Sequence, residues 1–247
     1  MKLAPKPGAP PERILCYGSH GTGKSSAYLS FAEKVPDATF HVLDSDESIA
    51  RMLFYQDLPN VSAIPVESWQ DYVEATRKVC AEMAPHDWLV VDMLGPAWQA
   101  AHAYYVETKF GKEVPDFYMD FAVAGKKGNP LQGDTDWAQI NRVWRAYEAI
   151  LKKCPGNLFA TTGARATGER DSAEQTADYG HLGARPDGQK QLGHLFHTVL
   201  YLTRKPRTGE RLVTTAKDRG RRELVQQPFT DLAAAYLMGV AGWRPAS

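Results

Sequence analysis

The residues best suited to chemistry lie near the start of the chain, in a run that reads G-x-x-x-x-G-K-S. An apolar segment suited to a buried strand precedes it, and a segment able to form a helix follows it. Glycines allow backbone N–H groups to turn inward around phosphate oxygens, and the helix N-terminus adds positive charge there. This pattern predicts a loop that binds the phosphates of a nucleotide, with a lysine reaching the β- and γ-phosphates. The predicted cofactor-binding residues are Gly18, Ser19, His20, Gly21, Thr22, Gly23, Lys24, Ser25 and Ser26.

A second candidate is the acidic residue that ends the apolar run Trp88-Leu89-Val90-Val91-Asp92. Such a run favours a buried parallel strand, and ligands in open α/β sheets bind at the carboxyl ends of the strands. Asp92 should therefore lie beside the loop, where it and the Ser25 hydroxyl would hold Mg²⁺. The alternative interpretation is that Asp92 only caps the turn after the strand.

Hydrolysis also needs a group that orients or deprotonates water. Met93 cannot do this, so the acidic cluster after the strand at residues 39–44 is the better source, through Asp46 or Glu47. These carboxylates could instead cap a following helix and stay solvated. Thr161 or Thr162, at the tip of a strand near residues 157–163, could sense the γ-phosphate, although threonine is also ordinary strand content.

The elements that must position these groups alternate between strand and helix. Apolar runs predict strands near residues 13–17, 39–44, 87–92 and 157–163, and helical periodicity predicts helices over 68–83 and 136–153. Residues 194–202 and 210–218 have the pattern of a hairpin. We expect a flexible tail over residues 1–12 and one domain over 13–247, with loop excursions at about 110–134 and 165–193, here called the first and second excursions.

Two groups of basic residues are candidates for binding an anionic partner. Lys217 and Arg219 are two residues apart, so on an extended strand both side chains would leave one face. The first excursion interleaves lysines with aromatic residues, a composition that suits single-stranded nucleic acid, although a packing insertion would look the same. The basic run of the hairpin, which could equally be a solvated face, comprises Arg204, Lys205, Arg207, Arg211, Lys217, Arg219, Arg221 and Arg222. The residues of the first excursion are Lys109, Phe110, Lys112, Phe117, Tyr118, Phe121, Lys126 and Lys127.

Composition limits the class of protein. The 247 residues carry 29 basic and 29 acidic side chains, so any nucleic-acid contact must come from local patches. The three separated cysteines, without a C-x-x-C pair, favour a reducing compartment. The sequence has neither the pattern of a signal peptide nor a run of about 18 apolar residues, so we expect a cytoplasmic protein that does not enter a membrane.

Taken in order, the segments GSHGTGKS, VLDSDES, WLVVD, NLFATTG and TTAKDRGRR resemble the RecA-like ATPases. More narrowly, they are similar to the phage nucleotide-binding proteins, which include single-strand annealing ATPases. This resemblance implies an α/β fold with a mostly parallel sheet in the order 5-1-4-3-2, a catalytic carboxylate at Asp46 and a polar sensor at Thr161 or Thr162. It also implies that Lys217 and Arg219 act across a subunit interface, and that the two excursions contact DNA.

The leading hypothesis is therefore a Mg²⁺-dependent ATPase that binds single-stranded DNA. It would self-assemble with ATP at subunit interfaces and serve phage-type recombination or annealing in the cytoplasm of a bacterium or a phage-infected host. A nucleotide-dependent assembly factor or switch that binds no nucleic acid is the first alternative, which the zero net charge supports. A small-molecule kinase, with residues 163–185 as a lid over ATP, is the second.

Overall fold

An eight-stranded sheet forms the centre of the computed structural model, which describes residues 1–132, 135–169, 171–219 and 223–245. The strands are β1 (Leu3–Ala4), β2 (Arg13–Gly18), β3 (Phe40–Asp44), β4 (Val61–Pro65), β5 (Trp88–Asp92), β6 (Asn157–Thr162), β7 (Ala164–Ala166), β8 (Ala184–Pro186), β9 (Thr198–Arg204), β10 (Arg211–Asp218), β11 (Gln227–Pro228) and β12 (Arg244–Pro245). The helices are α1 (Lys24–Lys34), α2 (Ser48–Tyr55), α3 (Trp69–Glu82), α4 (Leu94–Phe110), α5 (Val114–Val123), α6 (Asp136–Lys152) and α7 (Ala173–Tyr179).

The order of the strands is β11-β10-β9-β2-β6-β5-β3-β4. From β9 to β4 every pair of neighbours is parallel, whereas β10 and β11 join antiparallel. If β2, β3, β5, β6 and β9 are counted as strands 1 to 5, the order 5-1-4-3-2 expected from the resemblance is confirmed, with β4 added at the edge. The antiparallel hairpin of β9 and β10 is also present, although β9 begins at Thr198 and a 3-10 turn occupies Leu192–Leu195.

The sheet is covered on both faces, which is why its central strands are continuously apolar. Every residue of β2, β5 and β6 is buried. Successive residues of β2 enter different cores: Ile14 packs with the cluster that contains α1 and the C-terminal segment, and Leu15 packs with α3, α4 and α6. This alternation is the period of two expected of a strand. Two packed layers therefore hold the carboxyl ends of the strands in fixed positions.

The helices α3 and α6 match their predicted bounds to within one residue, and polar side chains mark the starts of α3 and α2. α3 begins after a capping box formed by Ser68 and Asp71, which agrees with the expected start. α2 begins at Ser48, where Asp46 Oδ1 accepts a hydrogen bond from Ser48 N at 3.2 Å and Glu47 adopts a left-handed φ of 55°.

The first excursion differs from the loop that its glycines and prolines predict, because it contains the helix α5. α4 ends at Phe110, where Gly111 takes a positive φ of 65°, and α5 follows after a short connection. Phe110 and Phe117 stack with ring centroids 4.5 Å apart, which joins the two helices. At the far side of the excursion, Asp136 accepts hydrogen bonds from Lys109 and Tyr105.

The second excursion and the N-terminal segment also contain short strands, and the second excursion contains a helix. β7 and β8 pair antiparallel. Along the chain, α7 separates these two strands, and it begins with a capping box formed by Ser172 and Gln175. The ion pair Arg185–Asp171, at 2.8 Å, is almost completely buried beside this hairpin. In the N-terminal segment, β1 pairs with β12 and Leu3 is buried, so this end of the chain is attached to the C-terminal end.

Candidate functional site

The glycine-rich loop follows β2 and ends where α1 begins at Lys24. A Cβ on Gly18 would lie 2.5 Å from the Leu202 carbonyl oxygen and 2.6 Å from Thr22 Oγ1, so only glycine fits there. Gly21 and Gly23 have φ values of 71° and 96°, which L side chains rarely adopt. The loop therefore depends on its glycines to bring backbone N–H groups to the start of α1, as an anion site at a helix N-terminus requires.

Lys24 lies across this loop. Its Nζ donates hydrogen bonds to the carbonyl oxygens of Gly18, at 3.0 Å, and Ser19, at 3.1 Å. Burial lowers the pKa of Lys24, and the nearby charges of Asp92 and Asp46 oppose that shift. A cation thus faces two carboxylates across the cleft, an arrangement that suits a ligand carrying both negative phosphates and a divalent metal.

Asp92 is buried at the end of β5 and accepts hydrogen bonds from three hydroxyl groups. Ser25 Oγ and Tyr28 Oη each donate to Oδ2 at 2.8 Å, and Thr161 Oγ1 donates to Oδ1. Burial raises the pKa of Tyr28 well above its usual value, and the charge of Asp92 adds to the shift. The phenol therefore stays a hydrogen-bond donor that fixes the carboxylate beside the Ser25 hydroxyl.

The ends of β3 and β5 are joined through Ser45. Its backbone N–H and its hydroxyl donate to the Asp92 carbonyl oxygen at 2.9 and 3.0 Å, and Met93 N donates to Ser45 Oγ at 3.1 Å. Asp44 Oδ2 accepts from Ile49 N, and burial raises the pKa of Asp44. These contacts place the segment that carries Asp46 next to the tip of β5.

Of the two candidate carboxylates, Asp46 lines the cleft beside the glycine-rich loop, whereas Glu47 is not among the described residues that do so. Asp46 Oδ1 also accepts a hydrogen bond from Ser48 N at the start of α2, so the same side chain contacts the helix and lines the cleft. Asp46 is therefore the better placed of the pair to meet a ligand in the cleft.

The two threonines at the end of β6 have separate partners. Thr161 contacts Asp92, while Thr162 Oγ1 donates to the Asp187 carbonyl oxygen at 2.7 Å. Neighbouring residues of a strand point to opposite faces, so only one of them can contact the carboxylate. Of the two threonines that could act as the sensor, Thr161 is therefore the one joined to Asp92.

The cleft has a volume of about 540 Å³. Its donor set fits a nucleoside triphosphate with Mg²⁺: backbone N–H groups and Lys24 for phosphates, and the Ser25 hydroxyl with the Asp92 carboxylate for the metal. Sequence reasoning did not assign Gln99, Asp187 or Arg211 to this cleft. Its described lining is Gly18, Ser19, His20, Gly21, Gly23, Lys24, Ser25, Ser26, Asp46, Met52, Asp92, Met93, Gly95, Pro96, Gln99, Gly163, Ala164, Asp187 and Arg211.

Lys217 and Arg219 lie away from the cleft of their own chain. Lys217 pairs with Val199, which pairs with Leu15 in the middle of β2, whereas Arg211 lies at the loop end. Arg211 and Lys217 are six residues apart, which corresponds to about 20 Å along the strand. The strand also bulges between Thr215 and Lys217, and Lys217 Nζ donates to the Gly193 carbonyl oxygen at 2.9 Å.

Several of the other predicted basic residues already have partners. Lys109 pairs with Asp136, Lys112 with Asp120, and Lys205 with Glu210. Two pairs match the predicted combination of cation and aromatic group: Lys109 Nζ lies 4.9 Å from the centroid of the Phe110 ring, and Lys126 Nζ lies 5.9 Å from that of Phe121. Arg221 and Arg222 lie outside the described residues.

The chain belongs to the AAA domain family AAA_24, which matches residues 11–221. A comparison with curated proteins finds no match. The fold is shared with the RadB recombinase, at a TM-score of 0.50 and 14% identity over 91% of this chain and 90% of RadB. The KaiC-like protein PH0186 of Pyrococcus horikoshii OT3 is similar at a TM-score of 0.49 and 16% identity, over 90% of this chain and 87% of that protein.

The family and the glycine-rich loop together define a P-loop NTPase with a RecA-like fold. None of the helices within the described residues is long and apolar enough to cross a membrane.

Proposed function

We propose that the chain binds and hydrolyses ATP with Mg²⁺. The observation that carries this proposal is the hydrogen bond of 2.8 Å from Ser25 Oγ to the buried Asp92 carboxylate, beside Lys24 and the glycine-rich loop. Lys24 would leave the carbonyl oxygens of the loop for the β- and γ-phosphates, and Ser25 with Asp92 would hold the metal. Bound Mg²⁺ supplies charge neutralisation at the phosphates.

Asp46 is the residue that we propose orients the attacking water. It lines the cleft, its charge acts on Lys24, and its contact with Ser48 fixes the carboxylate. Thr161 would act through Asp92, by holding the metal-binding carboxylate in place. Hydrolysis would then depend on Asp46, and metal binding on the hydroxyl groups around Asp92.

Single-stranded DNA is the partner that we propose, together with self-assembly, in phage-type recombination or strand annealing. The first excursion supports the DNA role through Lys126 beside Phe121, and through Lys127, which is exposed. α5 also exposes Met119 and Val123, with 61% and 81% of their surface accessible.

Self-assembly with ATP at the interface is supported by the position of Lys217 and Arg219. Because they lie about 20 Å along the strand from their own loop, they could act on a nucleotide only in a neighbouring subunit. A cation supplied in this way raises the rate of phosphoryl transfer by about 10³–10⁵-fold in related chemistry. The expected compartment is the cytoplasm of a bacterium or of a phage-infected host.

The DNA proposal is tested by measuring ATP hydrolysis with and without single-stranded DNA, alongside DNA binding over a salt series with and without ATP. We expect single-stranded DNA to stimulate hydrolysis, and its affinity to fall with salt and to rise with ATP. Duplex DNA of equal length is the control. Hydrolysis unaffected by DNA, together with ATP-dependent assembly, would instead identify a nucleotide-dependent assembly factor.

The interface proposal is tested by mixing two inactive variants. Lys217→Ala combined with Arg219→Ala should bind ATP normally and hydrolyse it slowly. Lys24→Ala protein, added to it, should restore part of the activity because each subunit supplies what the other lacks. If the two variants co-assemble on DNA and no activity returns, Lys217 and Arg219 do not act in trans.

A further inference from the structure

The guanidinium group of Arg211, the first residue of β10, packs directly on the glycine-rich loop. A Cβ on Gly23 would lie 3.1 Å from Arg211 Nη1 and 3.2 Å from both Nε and Cδ. Arg211 also lines the same cleft as Lys24. An arginine thus covers the backbone of the residue that directly precedes the phosphate-binding lysine.

The backbone of Arg211 is held firmly. The residue pairs with Arg204 across the hairpin, and its carbonyl oxygen accepts a hydrogen bond from Phe229 N at 3.1 Å. Its side chain, in contrast, is exposed and has no hydrogen bond or ion pair with any residue that the structure describes. The strand therefore places an uncompensated cation at a fixed point beside the loop.

Arg211 places a further cation beside the positively charged groups of the loop. The loop already presents Lys24 and the positive end of α1, so a further cation against Gly23 adds like charge. An anion in the loop would remove the repulsion and satisfy the planar N–H groups of the guanidinium, which match two phosphate oxygens at once. The arrangement is that of an anion receptor.

The order of the strands indicates which part of the nucleotide Arg211 would meet. β10 lies two strands from β2 on one side, and β5, with Asp92, lies two strands from β2 on the other. Asp92 and Asp46 therefore flank the loop on the side where metal binding and hydrolysis are proposed, and Arg211 flanks the opposite side.

We propose that Arg211 binds, within its own chain, the α- and β-phosphates that ADP and ATP share. It is a binding residue for the diphosphate and takes no part in the transfer of the terminal phosphate. The inference rests on the proposed function, since it needs the loop to hold a nucleotide.

The test is calorimetric titration of the wild type, Arg211→Ala and Arg211→Gln with MgADP. One or two charge-assisted hydrogen bonds at an exposed site correspond to about tenfold in affinity, so we expect a dissociation constant about ten times larger for both variants. Arg77→Ala, which removes an exposed arginine from α3, is the control for net charge and should bind as the wild type does. Thermal unfolding checks that each variant is folded.

Steady-state hydrolysis gives a second measurement. For the Arg211 variants, the KM for MgATP should rise about tenfold while kcat stays within about twofold of the wild type. A fall in kcat at unchanged KM would overturn the assignment to the shared phosphates.

The remaining outcomes separate this inference from the nucleotide site itself. If MgADP binds the wild type and Arg211→Ala equally while Lys24→Ala fails to bind, the inference is wrong and the site stands. Tighter binding by Arg211→Ala would show that the arginine obstructs the loop, which also overturns the inference. A wild type that binds no nucleotide would overturn both.

Discussion

Tyr28→Phe isolates one of the three hydroxyl groups that hold Asp92. The change removes the donor to Asp92 Oδ2 at 2.8 Å and leaves the ring in contact with Phe159. Ser25 and Thr161 continue to donate to the same carboxylate. The variant should therefore fold and keep its loop, but hold Asp92 less firmly.

The expected size follows from the burial of this contact. A hydrogen bond to a charged group contributes about 1.5–3 kcal/mol, and the two remaining donors partly compensate, so the free energy of unfolding should fall by about 1–2 kcal/mol. Substituting a residue that orients a metal ligand typically lowers metal affinity by about 10–100-fold. We expect Tyr28→Phe to need about ten times more Mg²⁺ for half-maximal nucleotide binding.

The assay is denaturant unfolding combined with a Mg²⁺ titration of ATP binding. Tyr147→Phe is the matched control, because it removes a buried phenol hydroxyl that bonds Thr76 at 3.0 Å on the other face of the sheet. That variant should lose stability and keep the wild-type requirement for Mg²⁺. If Tyr28→Phe also keeps it, Tyr28 does not position Asp92 for metal binding.

Two further predictions concern hydrolysis and pH. Asp46→Asn should bind ATP normally and hydrolyse it about 10²–10⁴-fold more slowly in steady-state assays, with Glu47→Gln near wild type; the reverse result would move the water-orienting role to Glu47. The hydrogen bond from Lys109 lowers the pKa of Asp136 to about 2, below the usual value of 3.8 for an aspartate. The ionised Asp136 therefore contributes its full stabilisation above about pH 5, and this stabilisation is lost as the pH falls towards 2. Asp136→Asn should lower Tm by about 3 °C at pH 7, with the difference from wild type closing between about pH 4 and 2. If Asp136→Asn lowers Tm by the same amount at every pH, this explanation is wrong. The control is Asp120→Asn, which removes the carboxylate of the exposed pair with Lys112.

The sheet and the loop could be predicted because their signals are local. β2, β5 and β6 are continuous apolar runs, which the sequence displays without reference to any other segment. The glycine spacing before Lys24 is likewise contained in eight residues. The order of the strands came from the resemblance, since pairing between distant segments has no local signal.

The parts that sequence reasoning missed depend on distant contacts or on side-chain direction. α5 carries apolar residues at helical spacing, but the glycines that flank it and the proline in its first turn favoured a loop when the sequence was considered alone. Whether Thr161 or Thr162 meets Asp92 depends on the face that each residue presents. Arg211 reaches Gly23 only because the hairpin register returns the start of β10 to the loop end of the sheet.

The central claim is tested most directly by the equilibrium affinity of the wild type and of folded Lys24→Ala for MgATP. Lys24 would make at least two charge-assisted hydrogen bonds to phosphate, at about 1.5 kcal/mol or more each, and every 1.4 kcal/mol is tenfold in affinity. We predict that the wild type binds MgATP and that Lys24→Ala binds it at least about 100-fold more weakly. Equal affinities in the two proteins would contradict the assignment of this loop as the nucleotide site.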